Sequence, residues 1–247
     1  MNTLIDKICF VSEANQPNYT TQFNKKIKSL PSWFDFSYYV STDDPQSITN
    51  TYSKLKIFDI ADLQKRTEET KKYEQIQRDS KLFKYPANIR RHIICKAFED
   101  GFNYVVWNDC DVLLKTNEDK FLKEIQNFEI NTIYTQNSVY SINKSSNQHP
   151  FAGCDRVLSD FNISDLKNRM KIHDGPTAIY YFDRDVQRKY IEAWDNITLY
   201  GYQNPYSYQR GAERPPAEVY AVTISDVDIK SLSRTQFLIK HDQSIKY

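Results

Sequence analysis

Two aspartates form the strongest chemical pattern in this chain. Asp109 and Asp111 follow an apolar run that starts at Tyr104, and one residue separates them. Side chains at i and i+2 of an extended chain point to the same face, so both carboxylates can converge on one hard divalent cation. An open α/β sheet binds its ligands just outside the carboxyl ends of its strands, which is where this pair would stand. The pattern therefore predicts a site for a divalent cation and a diphosphate.

The glycine content narrows the kinds of phosphate site that are possible. The chain has five glycines, and no two of them have the spacing of G-x-G-x-x-G or of a Walker loop. Backbone amides of a glycine loop are therefore not expected to hold a diphosphate. A metal ion held by carboxylates can neutralise the phosphate charge instead.

A basic helix is predicted just upstream of the acidic pair. Pro86 suits a first helical position, Gly101 suits the position after the last turn, and apolar residues recur at i and i+4 between them. In a right-handed crossover such a helix starts at the edge where the neighbouring strands stop. Arg90 and Arg91 would then stand near Asp109, with Arg90 pointing towards the carboxylates. Arg90 could contact a bound anion there, or it could be the structural partner of a buried acid.

The remaining sequence predicts alternating strands and helices. The predicted strands cover residues 7–11, 36–40, 56–60, the apolar run from Tyr104, 132–135 and 236–247, and a further strand follows a turn within 174–182. The predicted helices cover residues 19–30, 86–101, 118–128, 185–196 and 217–223. Residues 136–150 are predicted to form a polar loop, and 200–208 a mobile, tyrosine-rich binding loop. This order predicts a layered α/β fold.

Composition excludes several classes of protein. A length of 247 residues fits one domain with a full-sized core, and a net charge of +1 gives no bulk attraction to nucleic acid. The longest apolar run, Ala178 to Phe182, is too short for the roughly 20 residues of a transmembrane helix. We therefore expect no nucleic-acid partner and no transmembrane segment. The N-terminus has no secretory pattern, so a cytoplasmic location is expected.

The four cysteines are expected to be reduced. They are scattered without C-x-x-C spacing, which argues against both a zinc site and a disulfide framework. Strand alternation turns Cys110 away from its acidic neighbours, so it is expected to be a small core residue rather than a nucleophile. Trp107 is likewise expected in the core of the strand.

The order of strand, basic helix, apolar strand, D-x-D and a second apolar strand resembles the GT-A fold of nucleotide-sugar glycosyltransferases. The resemblance implies an α/β fold with a mixed, mostly parallel sheet flanked by helices. It also implies a single catalytic domain over residues 1–247, with a nucleotide-sugar-binding half (1–115) and an acceptor-binding half (116–247).

Within that fold, the chain is most similar to the glycogenin-like and bacterial lipopolysaccharide galactosyltransferase-like retaining group. Residues 88–92 are similar to the start of its basic helix, and residues 174–178 to its N-A-G-V turn. His241 with Lys246 is similar to its H-x-x-G-x-x-K segment, although the glycine is absent and the spacing is one residue shorter. A D-Q-D element is also absent from this sequence.

The resemblance implies roles for particular residues. Asp111 is expected to bind the metal directly, Asp109 to contact the metal or the ribose, and His241 to supply a nitrogen ligand that favours Mn²⁺ over Mg²⁺. The residues expected to contact the diphosphate are Arg90, Arg91 and Lys246. The residues expected to contact the base and ribose are Val11, Ser12 and Glu13.

The sequence indicates the residues that would contact the sugar acceptor less clearly than those that would contact the donor. Asp174 and Glu218 are each candidates for the base that deprotonates a sugar hydroxyl in an inverting reaction, and each could equally be a helix-capping or solvated acid. Retention, as in the similar group, and inversion both remain open. The tyrosines of 200–208 could stack on an acceptor sugar.

These features together predict a glycosyltransferase dependent on Mn²⁺ or Mg²⁺ that moves a sugar from a UDP-sugar to a glycan or another hydroxyl acceptor. One alternative is a haloacid-dehalogenase-like phosphatase, whose nucleophile motif also ends a strand in D-x-D. That motif lies near the start of such chains, and Leu113 stands here where they have Thr or Val. The other alternative is a non-catalytic carbohydrate-binding protein that uses the acids for a structural cation such as Ca²⁺.

Overall fold

A computed structural model gives the fold of this chain. It describes residues 4–15, 17–63, 89–114, 116–135, 139–141, 171–173, 177–203, 220–232 and 239–241.

A seven-stranded mixed sheet forms the centre of the protein, in the order β10-β6-β9-β4-β1-β2-β3. Its strands are β1 (Ile8–Glu13), β2 (Ser37–Thr42), β3 (Leu55–Asp59), β4 (Tyr104–Asn108), β6 (Thr132–Thr135), β9 (Thr177–Tyr181) and β10 (Asp228–Ser231). Only β9 runs against its neighbours in this sheet, and the other described pairs are parallel. Two short ladders stand apart: β5 (Val112–Leu114) with β11 (Ile239–His241), and β7 (Val139–Ser141) with β8 (Lys171–His173).

Helices cover both faces of this sheet. They are α1 (Pro17–Lys28), α2 (Ile60–Leu63), α3 (Ile89–Glu99), α4 (Glu118–Gln126) and α5 (Arg184–Gln203), with a further helical turn over 220–224. Alternation along β1 explains the two layers, because Cys9 and Val11 pack with α3 and α5, whereas Ile8 and Phe10 pack with α1 and α4. The chain therefore has the predicted α/β architecture, with a mostly parallel sheet flanked by helices.

The predicted strands and helices that lie in the described residues are present, with shifted ends. The strand predicted over 7–11 extends to Glu13, and the helix predicted over 19–30 begins at Pro17 and ends at Lys28. The strand over 132–135 has the predicted bounds. Most of these shifts are within the two to four residues by which sequence patterns misplace the ends of elements.

Two predicted loops were partly wrong. Residues 139–141 of the stretch 136–150 form β7, which pairs with β8, a strand that the sequence pattern did not indicate. Residues 200–203 of the expected binding loop belong to α5, because the helical segment continues through Gly201 to Gln203. The rest of both stretches lies outside the described residues.

Gly101 ends α3, as its position in the sequence predicted. Its φ is +103°, a conformation that side chains other than glycine rarely adopt. Phe102 N donates to Ala97 O at 3.2 Å, which satisfies a carbonyl of the last helical turn. Arg184 donates to the carbonyl oxygens of Phe98 and Gly101, at 3.1 and 3.0 Å, so the start of α5 caps the end of α3.

Within the described residues, no helix combines the length and the apolar character needed to cross a membrane.

Candidate functional site

The candidate site lies at the edge where neighbouring parallel strands end. β1 pairs in parallel with both β4 and β2, so their carboxyl ends meet at this edge. Asp109 and Asp111 follow β4, and Glu13 ends β1. α3 packs on β1 and leads into β4, so its first turn, which contains Arg90 and Arg91, stands at the same edge. The backbone therefore places both arginines at the same edge of the sheet as the acidic pair, while their side chains lie outside what is described.

The two aspartates lie in a tight turn, which corrects the expectation of an extended chain. β4 ends at Asn108, and Val112 N donates to Asp109 O at 3.1 Å, closing a four-residue turn. The chain turns here because β5 leaves the main sheet to pair with β11. Strand alternation therefore does not orient the pair. Both aspartates are partly exposed and stand two positions apart in this acidic turn, residues 109–112.

A core tryptophan holds one of these carboxylates. Trp107 is 2 % exposed, and its indole Nε1 donates to Asp109 Oδ1 at 2.6 Å. The sequence placed Trp107 in the core, and the structure confirms it. Its second role was missed, although the two residues are two apart at the end of a strand. A buried indole N–H needs a hydrogen-bond acceptor, and the nearby Asp109 could have been identified from the sequence as that acceptor.

Lys26 contacts the buried side of the acidic turn, a role that the sequence pattern had not indicated. Its side chain projects from α1 and is 2 % exposed. Its ammonium donates to the backbone oxygens of Asp109 at 2.8 Å and Asn108 at 3.2 Å, and to Ser12 Oγ at 3.4 Å. Desolvation lowers the pKa of Lys26 to about 8, while the nearby charges of Asp109 and Asp111 act in the opposite direction. A lysine beside Phe23 and Ile27 on the apolar stripe of α1 was the available signal.

The end of β1 is joined to the end of β4 through buried polar groups. Ser12 is fully buried, its Oγ donates to Asn108 O, and it lies 2.7 Å from Tyr38 Oη. Thr177 Oγ1 donates to Asn108 Oδ1 at 3.3 Å, and Asn108 Nδ2 has no hydrogen-bond partner among the described residues. Val11 is also fully buried. The predicted contacts of Val11 and Ser12 with a nucleotide stay predictions, and in this arrangement they would have to come from the backbone.

Cys110 ties the acidic turn to the segment after β1. It is 5 % exposed, and its thiol donates to Glu13 O at 2.7 Å. Burial raises the pKa of this thiol, so the reactive thiolate is disfavoured. This confirms the expectation of a small core residue. Among the described cysteines, Cys9 and Cys110 are free thiols, as predicted.

β11 brings a distant part of the chain to the acidic turn. It pairs antiparallel with β5 so that His241 stands opposite Val112, the residue directly after Asp111. The backbone of His241 therefore lies next to the acidic pair, although the two segments are far apart in the sequence. Its side chain lies outside what is described, and so do Asp174, Glu218 and Lys246. The roles expected for these four residues stay predictions.

The donor chemistry of the turn fits a hard divalent cation. Two carboxylates within one partly exposed turn supply oxygen ligands, and Mg²⁺ is usually bound by one or two carboxylates together with substrate phosphates. Among the described side chains, no group of three or more His, Cys, Asp or Glu could enclose a metal by itself. Asp109 and Asp111 are the described side chains that would hold such a cation at this turn.

Comparison with known proteins connects this fold to a glycosyltransferase. No family profile matches the chain, and no related sequence was found among curated proteins. Among solved structures, it is similar to the mannosyltransferase Ktr4p from S. cerevisiae, with a TM-score of 0.54 and 13 % identity. The match covers 97 % of this chain and 71 % of that one. At this identity the similarity establishes a GT-A-like α/β fold and nothing finer.

Proposed function

We propose that this chain is a metal-dependent glycosyltransferase that moves a sugar from a UDP-sugar donor to a hydroxyl group of a glycan. The observation that carries the proposal is the acidic turn at the carboxyl end of β4, held from below by Lys26 and from the side by Trp107. Its location at the ligand-binding edge of an α/β sheet supports the proposal. The similarity in fold to a mannosyltransferase supports it further.

In this proposal Asp111 and Asp109 hold a divalent ion, Mn²⁺ or Mg²⁺, together with the donor diphosphate. The bound ion acts as a Lewis acid that makes the nucleoside diphosphate a better leaving group. His241 would complete the ligand set and favour Mn²⁺, since imidazole suits that ion better than it suits Mg²⁺. The position of its backbone opposite Val112 is compatible with that role.

Basic side chains would balance the negative charge that builds up on the departing diphosphate. Arg90 and Arg91 stand in the first turn of α3, and guanidinium groups can form two parallel hydrogen bonds to phosphate oxygens. Lys246 would add a point charge from beyond β11. The acceptor hydroxyl would lose its proton to Asp174 or Glu218 in an inverting reaction.

Calorimetric titration with UDP, with and without Mn²⁺, tests the donor site. We expect UDP to bind the wild type only with the metal, and Asp111→Asn to reduce that affinity by at least about tenfold because a charged ligand is lost. Asp185→Asn is the matched control. It removes an exposed carboxylate that follows β9, which runs opposite to β4 and so ends at the other edge of the sheet.

Several outcomes would contradict the proposal. Metal-independent glycan binding without any response to UDP would favour a carbohydrate-binding protein, and a phosphoenzyme trapped with beryllofluoride would favour a phosphatase. Equal nucleotide binding by the wild type and Asp111→Asn would remove the acidic turn from the donor site.

A further inference from the structure

We propose that Lys26 is a positioning residue: its ammonium clamps the inner side of the acidic turn and so preorganises Asp109 and Asp111 for a divalent cation. This inference rests on the proposed function, since it presupposes that the pair binds a cation together with a diphosphate.

The contacts of Lys26 place its charge under the backbone of the turn. Its ammonium has three donors, and the three acceptors within reach are the carbonyls of Asn108 and Asp109 and the hydroxyl of Ser12. Two of these belong to consecutive residues at the point where β4 becomes the turn. The ring of Tyr38 lies 5.6 Å from the ammonium and adds a cation–π contact. The side chain is thereby held from several directions.

The fold does not need Lys26 to satisfy these acceptors, because each one has a second partner. Asp109 O accepts from Val112 N at 3.1 Å, Asn108 O accepts from Ser12 Oγ, and Ser12 Oγ lies 2.7 Å from Tyr38 Oη. An apolar side chain at position 26 would therefore leave none of them unpaired. Burying a cation carries a desolvation penalty that an apolar residue would avoid. Hydrogen-bond satisfaction alone therefore does not explain a buried ammonium at this position.

The charge of the acidic turn explains why an ammonium is buried at position 26. Asp109 and Asp111 are like charges two positions apart, and the hydrogen bond from Val112 N to Asp109 O closes the turn that contains them. A positive charge on the inner side offsets their repulsion, while the two carbonyl contacts restrain the backbone that bears them. Without Lys26, the contacts of Trp107, Cys110 and Val112 would still hold parts of the turn. The backbone at Asn108 and Asp109 would lose the restraint of the ammonium, and the cost of ordering it would lower the affinity for an incoming cation.

Three proteins test the inference: the wild type, Lys26→Met and Lys25→Met. Lys25 is exposed on the same helix, so its substitution removes the same formal charge without touching the turn. Mn²⁺ affinity is measured by electron paramagnetic resonance with and without UDP, and stability by urea unfolding at pH 7. We expect Lys26→Met to weaken Mn²⁺ binding about tenfold, the loss typical when a residue that orients a metal ligand is removed. Its unfolding free energy should not fall, and Lys25→Met should change neither quantity.

A residue acting through the aspartates should also show non-additive effects. In the Asp111→Asn background, Lys26→Met should weaken Mn²⁺ binding far less than it does in the wild type. A merely structural lysine would lower stability and binding together and would not depend on Asp111 in this way. If Lys26→Met does not fold, Lys26→Gln replaces it with the same expectations, and failure of both to fold overturns the inference.

The remaining results separate this inference from the proposed function. If the wild type binds Mn²⁺ and UDP while Lys26→Met binds them equally well or more tightly, the positioning role is wrong and the proposed function stands. An equal loss in Lys25→Met would assign the effect to overall charge and overturn the role. If the wild type itself binds neither Mn²⁺ nor UDP, both proposals fail.

Discussion

The indole nitrogen of Trp107 lies 2.6 Å from Oδ1 of Asp109, so a residue of the hydrophobic core holds a carboxylate of the candidate metal site. The packing of β4 between its neighbours fixes the ring, and the hydrogen bond from the ring in turn restrains the position of the carboxylate. Core packing on the α3 side of the sheet is therefore coupled to the geometry of the acidic turn.

Replacing Trp107 with phenylalanine should weaken Mn²⁺-dependent nucleotide binding by about tenfold, because Asp109 loses an orienting donor. Trp194→Phe is the matched control. Trp194 is 3 % exposed, and its Nε1 has no hydrogen-bond partner among the described residues, so its loss should leave binding unchanged. Calorimetry on both variants checks the prediction, and equal losses would show that general core damage is responsible.

The buried ammonium of Lys26 should make stability depend on pH. Its pKa is about 8 in the folded protein against 10.5 for an ordinary lysine, so the unfolded chain binds more protons between these values. The unfolding free energy should therefore rise with pH in that window, by about 1.5 kcal/mol from pH 8 to 9.5. Urea unfolding of the wild type and Lys26→Met at several pH values isolates this contribution. A slope that persists in the variant would belong to other groups.

Gly101→Ala should destabilise the fold by roughly 1–2 kcal/mol, because a φ of +103° strains any residue with a side chain. The added Cβ would also stand 3.3 Å from Arg184 Nη2, which caps α3. Urea unfolding measures the loss. The site lies at the other edge of the sheet, so the folded variant should keep its nucleotide affinity, and a selective loss of binding would contradict this account.

His241→Ala should lower the affinity for Mn²⁺ more than that for Mg²⁺, because imidazole contributes more to the binding of Mn²⁺. Asp111→Asn should lower both, since carboxylate oxygens serve either ion. Competition between the two metals, followed by the resonance of free Mn²⁺, measures the ratio. An unchanged ratio would show that His241 is not a ligand despite its place opposite Val112.

The layered fold could be predicted because short apolar runs and helix-ending residues such as Gly101 act locally. The location of Asp109 and Asp111 followed from the same local pattern. The turn that contains them could not be predicted, because it depends on the pairing of β5 with β11, which joins residues more than 120 positions apart. Lys26 was missed for a related reason. Its partners come from β1 and β4. Its place on the apolar stripe of α1 indicates that the stem is buried, but does not show whether the ammonium stays buried or extends to solvent.

Among the described residues, the ladder of β5 and β11 is separate from the seven-stranded sheet and pairs Val112 to Leu114 with Ile239 to His241. A two-stranded ladder that stands apart from the main sheet is expected to open at a lower free energy than the sheet itself. The edge beside Val112 would then open while the main sheet stays intact. Amide hydrogens of Val112 to Leu114 should exchange with solvent sooner than those of β1 and β4. A ligand held by both strands would slow that exchange by drawing the population towards the assembled form.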